Sequence, residues 1–131
     1  MSSASKDPQG GVWCIVVAAG SGRRFGAPKQ FERIGDERVV DRSVRIAASV
    51  CDGVVLVLPS AAASEVVEHA TVTVAGGATR SESVRRGLDR VPPDAIVLVH
   101  DAARPLASPE LFERIIAAVR DGAAAAVLVV A

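Results

Sequence analysis

Residues Val12 to Phe31 read VWCIVVAAGSGRRFGAPKQF, and the chain changes character in the middle of them. Val12 to Val17 are apolar at consecutive positions, the pattern of a strand buried on both faces in a parallel sheet. Ala18 to Gly22 are all small, and behind them come Arg23, Arg24 and, after a proline, Lys29. Bare peptide directly after a buried strand lets backbone N–H groups approach phosphate oxygens with no Cβ in the way, a service Gly20, Gly22 and Gly26 can perform. The stretch therefore predicts the first strand of an open α/β sheet, with an anion-binding loop at its carboxyl end.

The rest of the chain repeats the alternation. Val54 to Leu58, Val72 to Val74, Ala95 to Val99 and Ala124 to Val130 are further short aliphatic runs. Helical spacing lies between them: Val40, Val44, Ala47 and Cys51 recur at intervals of four, three and four, with Arg38, Asp41, Arg42 and Arg45 on the outer face. Val84, Leu88 and Val91 repeat the pattern behind a T-x-x-E capping box formed by Thr79 and Glu82. Ser108, Pro109 and Glu110 open a last helix, which Gly122 would close. The expected fold class is α/β: an open, mostly parallel Rossmann-like sheet with helices on both faces and right-handed crossovers.

Half of the 131 residues are apolar, enough for one core without disulfide staples. Residues 1–11 have neither a charged start nor an apolar stretch, and are expected to form a disordered tail, leaving 12–131 as the domain. The formal net charge is zero, which argues against a protein that coats nucleic acid through a basic face. No apolar segment reaches membrane-spanning length, so a soluble, cytoplasmic protein is expected. Cys14 and Cys51 show neither metal-ligand nor redox spacing and are expected to be inert core thiols.

Ligands in such sheets sit beyond the carboxyl ends of the strands. There the chain places Ala18 to Arg24 after the first run, Gly76 to Arg80 after the third and His100 to Pro105 after the fourth. The glycine loop is not a P-loop, since Ala27 follows Gly26 and Gln30 follows Lys29. It is not a dinucleotide loop either, because Phe25 holds the third glycine's place and no acid follows the second strand. Lys29 is informative against its background: this chain spells nearly all its positive charge with arginine, and Lys6 and Lys29 are its only lysines. A site needing one compact cation against one phosphoryl oxygen would keep lysine against that bias.

The ordered motifs A-A-G-x-G-x-R, P-K-Q, G-G-x-x-R-x-x-S-V and V-H-D-A-A-R-P resemble those of the 2-C-methyl-D-erythritol 4-phosphate cytidylyltransferases of the non-mevalonate isoprenoid pathway. The first motif alone marks only the wider group of sugar-phosphate nucleotidyltransferases; the last narrows it. The resemblance implies a nucleotidyltransferase that moves CMP from CTP to a sugar-alcohol phosphate and releases pyrophosphate, with Mg²⁺. By the same resemblance Arg24 and Lys29 are catalytic, and Ala18, Ala19, Gly20, Ser21, Gly22, Gly77, Arg80 and Ser83 bind the nucleotide. Asp101 and Arg104 bind the acceptor, Asp101 being also a possible metal ligand. His100 is read as strand-end packing and His69 as exposed. A homodimer is implied for the full-length protein, and neither nucleic acid nor membrane is an expected partner.

Three departures from the pattern stand out. Val17 replaces a usual proline, Ala78 lacks the polar side chain common beside the base, and the sequence stops inside the last aliphatic run. Relatives continue with a further substrate segment and a dimerisation arm. The alternatives are a ribitol-5-phosphate cytidylyltransferase and an inactive nucleotide-binding fragment, with a nicotinamide dehydrogenase a distant third.

Overall fold

A computed structural model describes residues 10–19, 31, 33–102 and 108–121. Four strands form one parallel sheet: β1 (Val12–Val17), β4 (Gly53–Leu58), β5 (Val72–Ala75) and β6 (Ile96–Asp101), in the order β5-β4-β1-β6. All four lie where the aliphatic runs predict them. β4 is buried at every position, as a central parallel strand must be, whereas β6 alternates. In register, Val17 faces Val57 on one side and Asp101 on the other. Gly10 and Gly11 already run with the sheet, accepting hydrogen bonds from the Trp13 indole (3.1 Å) and the Ile96 N–H (2.9 Å).

Helices cover both faces. On one side α1 (Val39–Val50) and α3 (Pro109–Arg120) bury Val40, Val44, Ala47, Phe112 and Ile116 against Cys14, Val16, Leu56 and Leu98. On the other, Ile15, Val17, Val55 and Val57 meet α2 (Arg80–Leu88). The α3 helix begins as its sequence predicts, with the Ser108 hydroxyl accepting from the Leu111 N–H and Pro109 in the first turn. His100 is buried edge-on against Phe112, with ring centroids 5.3 Å apart, and His69 is exposed, as read from the sequence.

Four expectations need correction. A short antiparallel hairpin, β2 (Arg33–Ile34) with β3 (Glu37–Arg38), precedes α1, and period-2 reading had too few residues to detect it. Its turn depends on Gly35, whose φ of 66° suits glycine. Arg38 and Asp41 are not merely a solvated face: the Asp41 carboxylate accepts from the Arg38 N–H and guanidinium, and Arg38 also pairs with Glu65. Of the expected face, Val84 and Val91 pack against the core, but Leu88 is 45% exposed, because α2 meets the sheet through Ser83, Val84 and Gly87 and ends before Val91. The Thr79–Glu82 capping box closes on one side only, as described below.

Cys14 and Cys51 are free thiols, Cys14 buried and Cys51 half-buried at the end of α1. Their mutual hydrogen bond, which spacing alone could not reveal, pushes the Cys14 thiol up and draws Cys51 down. The strand predicted for Ala124 to Val130, and Gly122, lie outside the described residues. Among the described residues no helix is long and apolar enough to cross a membrane.

Candidate nucleotide site

The strand order reverses at β1. The chain leaves β1 for β4 and then β5 on one side, and returns to β1's other side with β6. Such a switch point opens a crevice beyond the carboxyl ends of the strands, since the connections on either side diverge there. The ends of β1, β5 and β6 frame it. The ladder continues one residue past β1 on each flank, with the Ala18 N–H donating to Val57 O at 2.8 Å and the Ala102 N–H to Val17 O at 2.9 Å.

Ala19, Gly76 and Ser83 converge at this rim. Gly76 donates to Leu58 O at 2.7 Å, which extends β5 past its end. A Cβ on Gly76 would collide with the Ala19 methyl and stand 2.9 Å from Ser83 Oγ, so only glycine lets the three approach. Ser83 is 2% exposed and lies beneath the loop, not on the helix surface. Its hydroxyl accepts from the Gly77 N–H at 3.1 Å, which ties the first turn of α2 to the glycine pair. Gly77 itself is half-buried, with the Glu82 carboxylate lying where a side chain would project.

Arg80 is exposed at the first position of α2, and the cap is Thr79, whose hydroxyl accepts from the Glu82 N–H at 3.1 Å. Asp101 ends β6 directly across from Val17, half-buried on the opposite flank of β1 from Gly77. Gly20, Ser21, Gly22, Arg24, Lys29 and Arg104 lie outside the described residues. The described residues before position 20 and after position 30 are fixed in the fold. Ala18 and Ala19 stand on one side; on the other, Phe31 packs against the core while the Arg38 guanidinium lies 5.6 Å from its ring centroid. Asp41 holds that guanidinium in place, and the pairing draws the Asp41 carboxyl below its ordinary range. The Ser43 hydroxyl, donating to Ala102 O at 3.3 Å, fixes α1 to the end of β6.

Among the described residues no three His, Cys, Asp or Glu side chains gather as a self-sufficient metal cage. The rim does supply one hard oxygen donor, Asp101. A single carboxylate suits a Mg²⁺ ion that takes its remaining ligands from phosphates and water. Sequence reading missed two residues here: Glu82, read only as half of a capping box, and Arg86, not singled out at all. Their i, i+4 spacing was the available signal.

A family model described as 2-C-methyl-D-erythritol 4-phosphate cytidylyltransferase matches residues 12–131. The chain is 44% identical over 126 residues to a bifunctional enzyme IspD/IspF of Anaeromyxobacter sp., covering 89% of this chain and 33% of that protein. It is likewise 44% identical over 128 residues to the 2-C-methyl-D-erythritol 4-phosphate cytidylyltransferase of Streptomyces coelicolor, covering 86% of this chain and 47% of the relative. The chain thus spans about a third to a half of the length of the curated relatives it matches. Among solved structures, the manganese complex of Rv0371C from Mycobacterium tuberculosis superposes with a TM-score of 0.66 at 25% identity, covering 85% of this chain and 60% of that one.

Proposed function

We propose that this chain, which belongs to the 2-C-methyl-D-erythritol 4-phosphate cytidylyltransferase family, carries the CTP-binding half of an enzyme that transfers CMP from CTP to 2-C-methyl-D-erythritol 4-phosphate. An oxygen of the acceptor's phosphate attacks the α-phosphorus of CTP. One phosphoanhydride bond forms, another breaks, and pyrophosphate leaves with the electron pair. That nucleophile is already ionised near neutral pH, so the step needs no protein base. What it needs is relief of the negative charge that gathers on the α-phosphate and the departing pyrophosphate.

The residues divide that work. Arg24 and Lys29 stabilise the developing charge, with peptide N–H groups from Gly20, Ser21 and Gly22 cradling the phosphates. Ala18 and Ala19 are small enough for a flat pyrimidine to lie against the end of β1, while Gly77, Ser83 and Arg80 read the base and its sugar. Asp101 and Arg104 place the acceptor. Mg²⁺, held mainly on phosphate oxygens with Asp101 beside it, would supply Lewis-acid neutralisation of the triphosphate. A cytoplasmic location and a homodimer of the whole protein belong to the same reading.

The observation that carries it is the packing of Ala19, Gly76 and Ser83 beneath Gly77, at the end of the strand that enters the glycine-rich loop. The test is pyrophosphate release by the whole gene product with Mg²⁺ and CTP. Release only on addition of 2-C-methyl-D-erythritol 4-phosphate supports the assignment. Release with ribitol 5-phosphate instead moves it to that acceptor, and saturable CTP binding without product under any condition reduces it to nucleotide binding.

A further inference from the structure

Glu82 occupies the place where a reciprocal capping box would be expected, and it does something else. In such a box the acid three residues into the helix reaches back to the N–H of the cap residue, here Thr79. Glu82 Oε1 instead accepts from the N–H of Ala78, one residue earlier, at 3.2 Å, and lies against Gly77. The same carboxylate is paired with Arg86 one turn on, at 3.2 Å. The Arg86 guanidinium in turn donates to Gly76 O at 3.1 Å and stands 3.4 Å from Ala75 O. With the Ser83 hydroxyl taking the Gly77 N–H, each residue from Gly76 to Ala78 has a backbone group held by the first two turns of α2. The departure at position 78 gives this a purpose. With no polar side chain at Ala78, the shape of the glycine pair is what the loop can offer a base, and Glu82 and Arg86 set that shape.

We propose that Glu82 and Arg86 form a clamp that holds Gly76, Gly77 and Ala78 in the base-reading conformation, acting as positioning residues that set pyrimidine specificity. The clamp rests on the nucleotide-site reading given above. Its carboxylate consumes the Ala78 N–H and the buried Ser83 hydroxyl takes the Gly77 N–H, so what the loop has left to offer a pyrimidine edge is carbonyl acceptors. A carbonyl acceptor favours the exocyclic amine of cytosine over the carbonyl oxygen of uracil. Loosening the loop therefore weakens discrimination more than it weakens binding of the triphosphate.

Two measurements on the 131-residue chain test this. The first is amide hydrogen exchange in the free protein, which needs no ligand. Glu82→Ala is expected to speed exchange at Ala78 about tenfold, the scale set by loss of one charge-assisted hydrogen bond, while Val84 and Gly87 within α2 keep their protection. Glu82→Gln, which retains an acceptor oxygen, restores most of the protection at Ala78. Unchanged Ala78 exchange in Glu82→Ala overturns the clamp. The second is the ratio of CTP to UTP affinity by calorimetry. A ratio that falls severalfold in Glu82→Ala and Arg86→Ala, with partial recovery in Glu82→Gln, supports the specificity role; variants that discriminate as the parent does overturn it. A parent chain that binds the two nucleotides equally overturns the base-reading assignment itself, an outcome distinguished by the parent measurement alone.

Discussion

Gly87 of α2 rests directly on Ile15 of β1: a Cβ at position 87 would stand 2.7 Å from Ile15 Cγ2. This contact explains why α2 turns Leu88 to solvent. The helix approaches the sheet on its bare side, at a distance only glycine allows, and that approach brings Ser83 in the preceding turn under Gly77. Alanine at an exposed helix position would gain up to about 1 kcal/mol over glycine. Here the new methyl meets a β-branched side chain that is itself fully buried and cannot move aside, and overpacking of that kind costs about 1–3 kcal/mol. Gly87→Ala is expected to lower the urea midpoint with m unchanged, in spite of its better helix propensity. A raised midpoint would show that α2 can lift off the sheet without loss.

A second prediction concerns acid. The Arg38 guanidinium draws the Asp41 carboxyl below its ordinary value, so the folded state holds this proton less tightly than the unfolded one. The resulting stability is fully present above the unfolded-state pKa of about 3.9 and is lost as pH falls through the lower folded-state value. Asp41→Asn should therefore melt below the parent at pH 6 and converge with it as pH falls through the lowered folded-state value. A melting difference of the same size at pH 6 and pH 2 would show that the carboxylate's charge contributes nothing.

The parts of this architecture that the sequence announces are those with a dense local signal. β4 is buried at all six of its positions and β1 at five of six, and α3 opens on Ser-Pro-Glu, so strand and helix starts are visible without tertiary information. The β2–β3 hairpin has two residues per strand, too few for a period, and its turn is announced only by Gly35. Leu88 misleads because its spacing from Val84, which does pack against the core, is correct, while the place expected for Leu88 is taken by its neighbour Gly87, a residue with no side chain. The candidate nucleotide site is legible as a set of loops, since Ala18, Gly77 and Asp101 each follow or end an aliphatic run. The bonds among them are not. That Ser83 serves Gly77, or that Glu82 reaches Ala78 and not Thr79, depends on side-chain directions that spacing does not encode.

Gly76→Ala should separate site geometry from general stability. Its Cβ would strike the Ala19 methyl and crowd Ser83 Oγ, forcing β1's end and the first turn of α2 apart. The expected result is at least a tenfold loss of CTP affinity by calorimetry, because one displaced contact of about 1.4 kcal/mol already gives that factor. The control is Leu88→Ala, an exposed position on the same helix, which should bind CTP as the parent does. Equal affinities for Gly76→Ala and the parent would remove the glycine pair from the site.

The last prediction bears on the chemistry. If the step is phosphoryl transfer to a phosphate already ionised, cations matter in the transition state more than in the bound ground state, because charge is redistributed toward the leaving pyrophosphate. Lys29→Ala and Arg24→Ala should then lower kcat by roughly 10²- to 10⁵-fold in the whole gene product, with KM for CTP changed much less. Lys29→Arg is the sharper probe. Arginine abounds in this chain, and if any positive charge sufficed at position 29 the substitution would be silent. A site built around one compact ammonium should reject the wide planar guanidinium, so Lys29→Arg should recover only a small part of the rate lost in Lys29→Ala. Full activity in Lys29→Arg would mean that charge without shape is enough. Full activity in Lys29→Ala would take this residue out of the reaction.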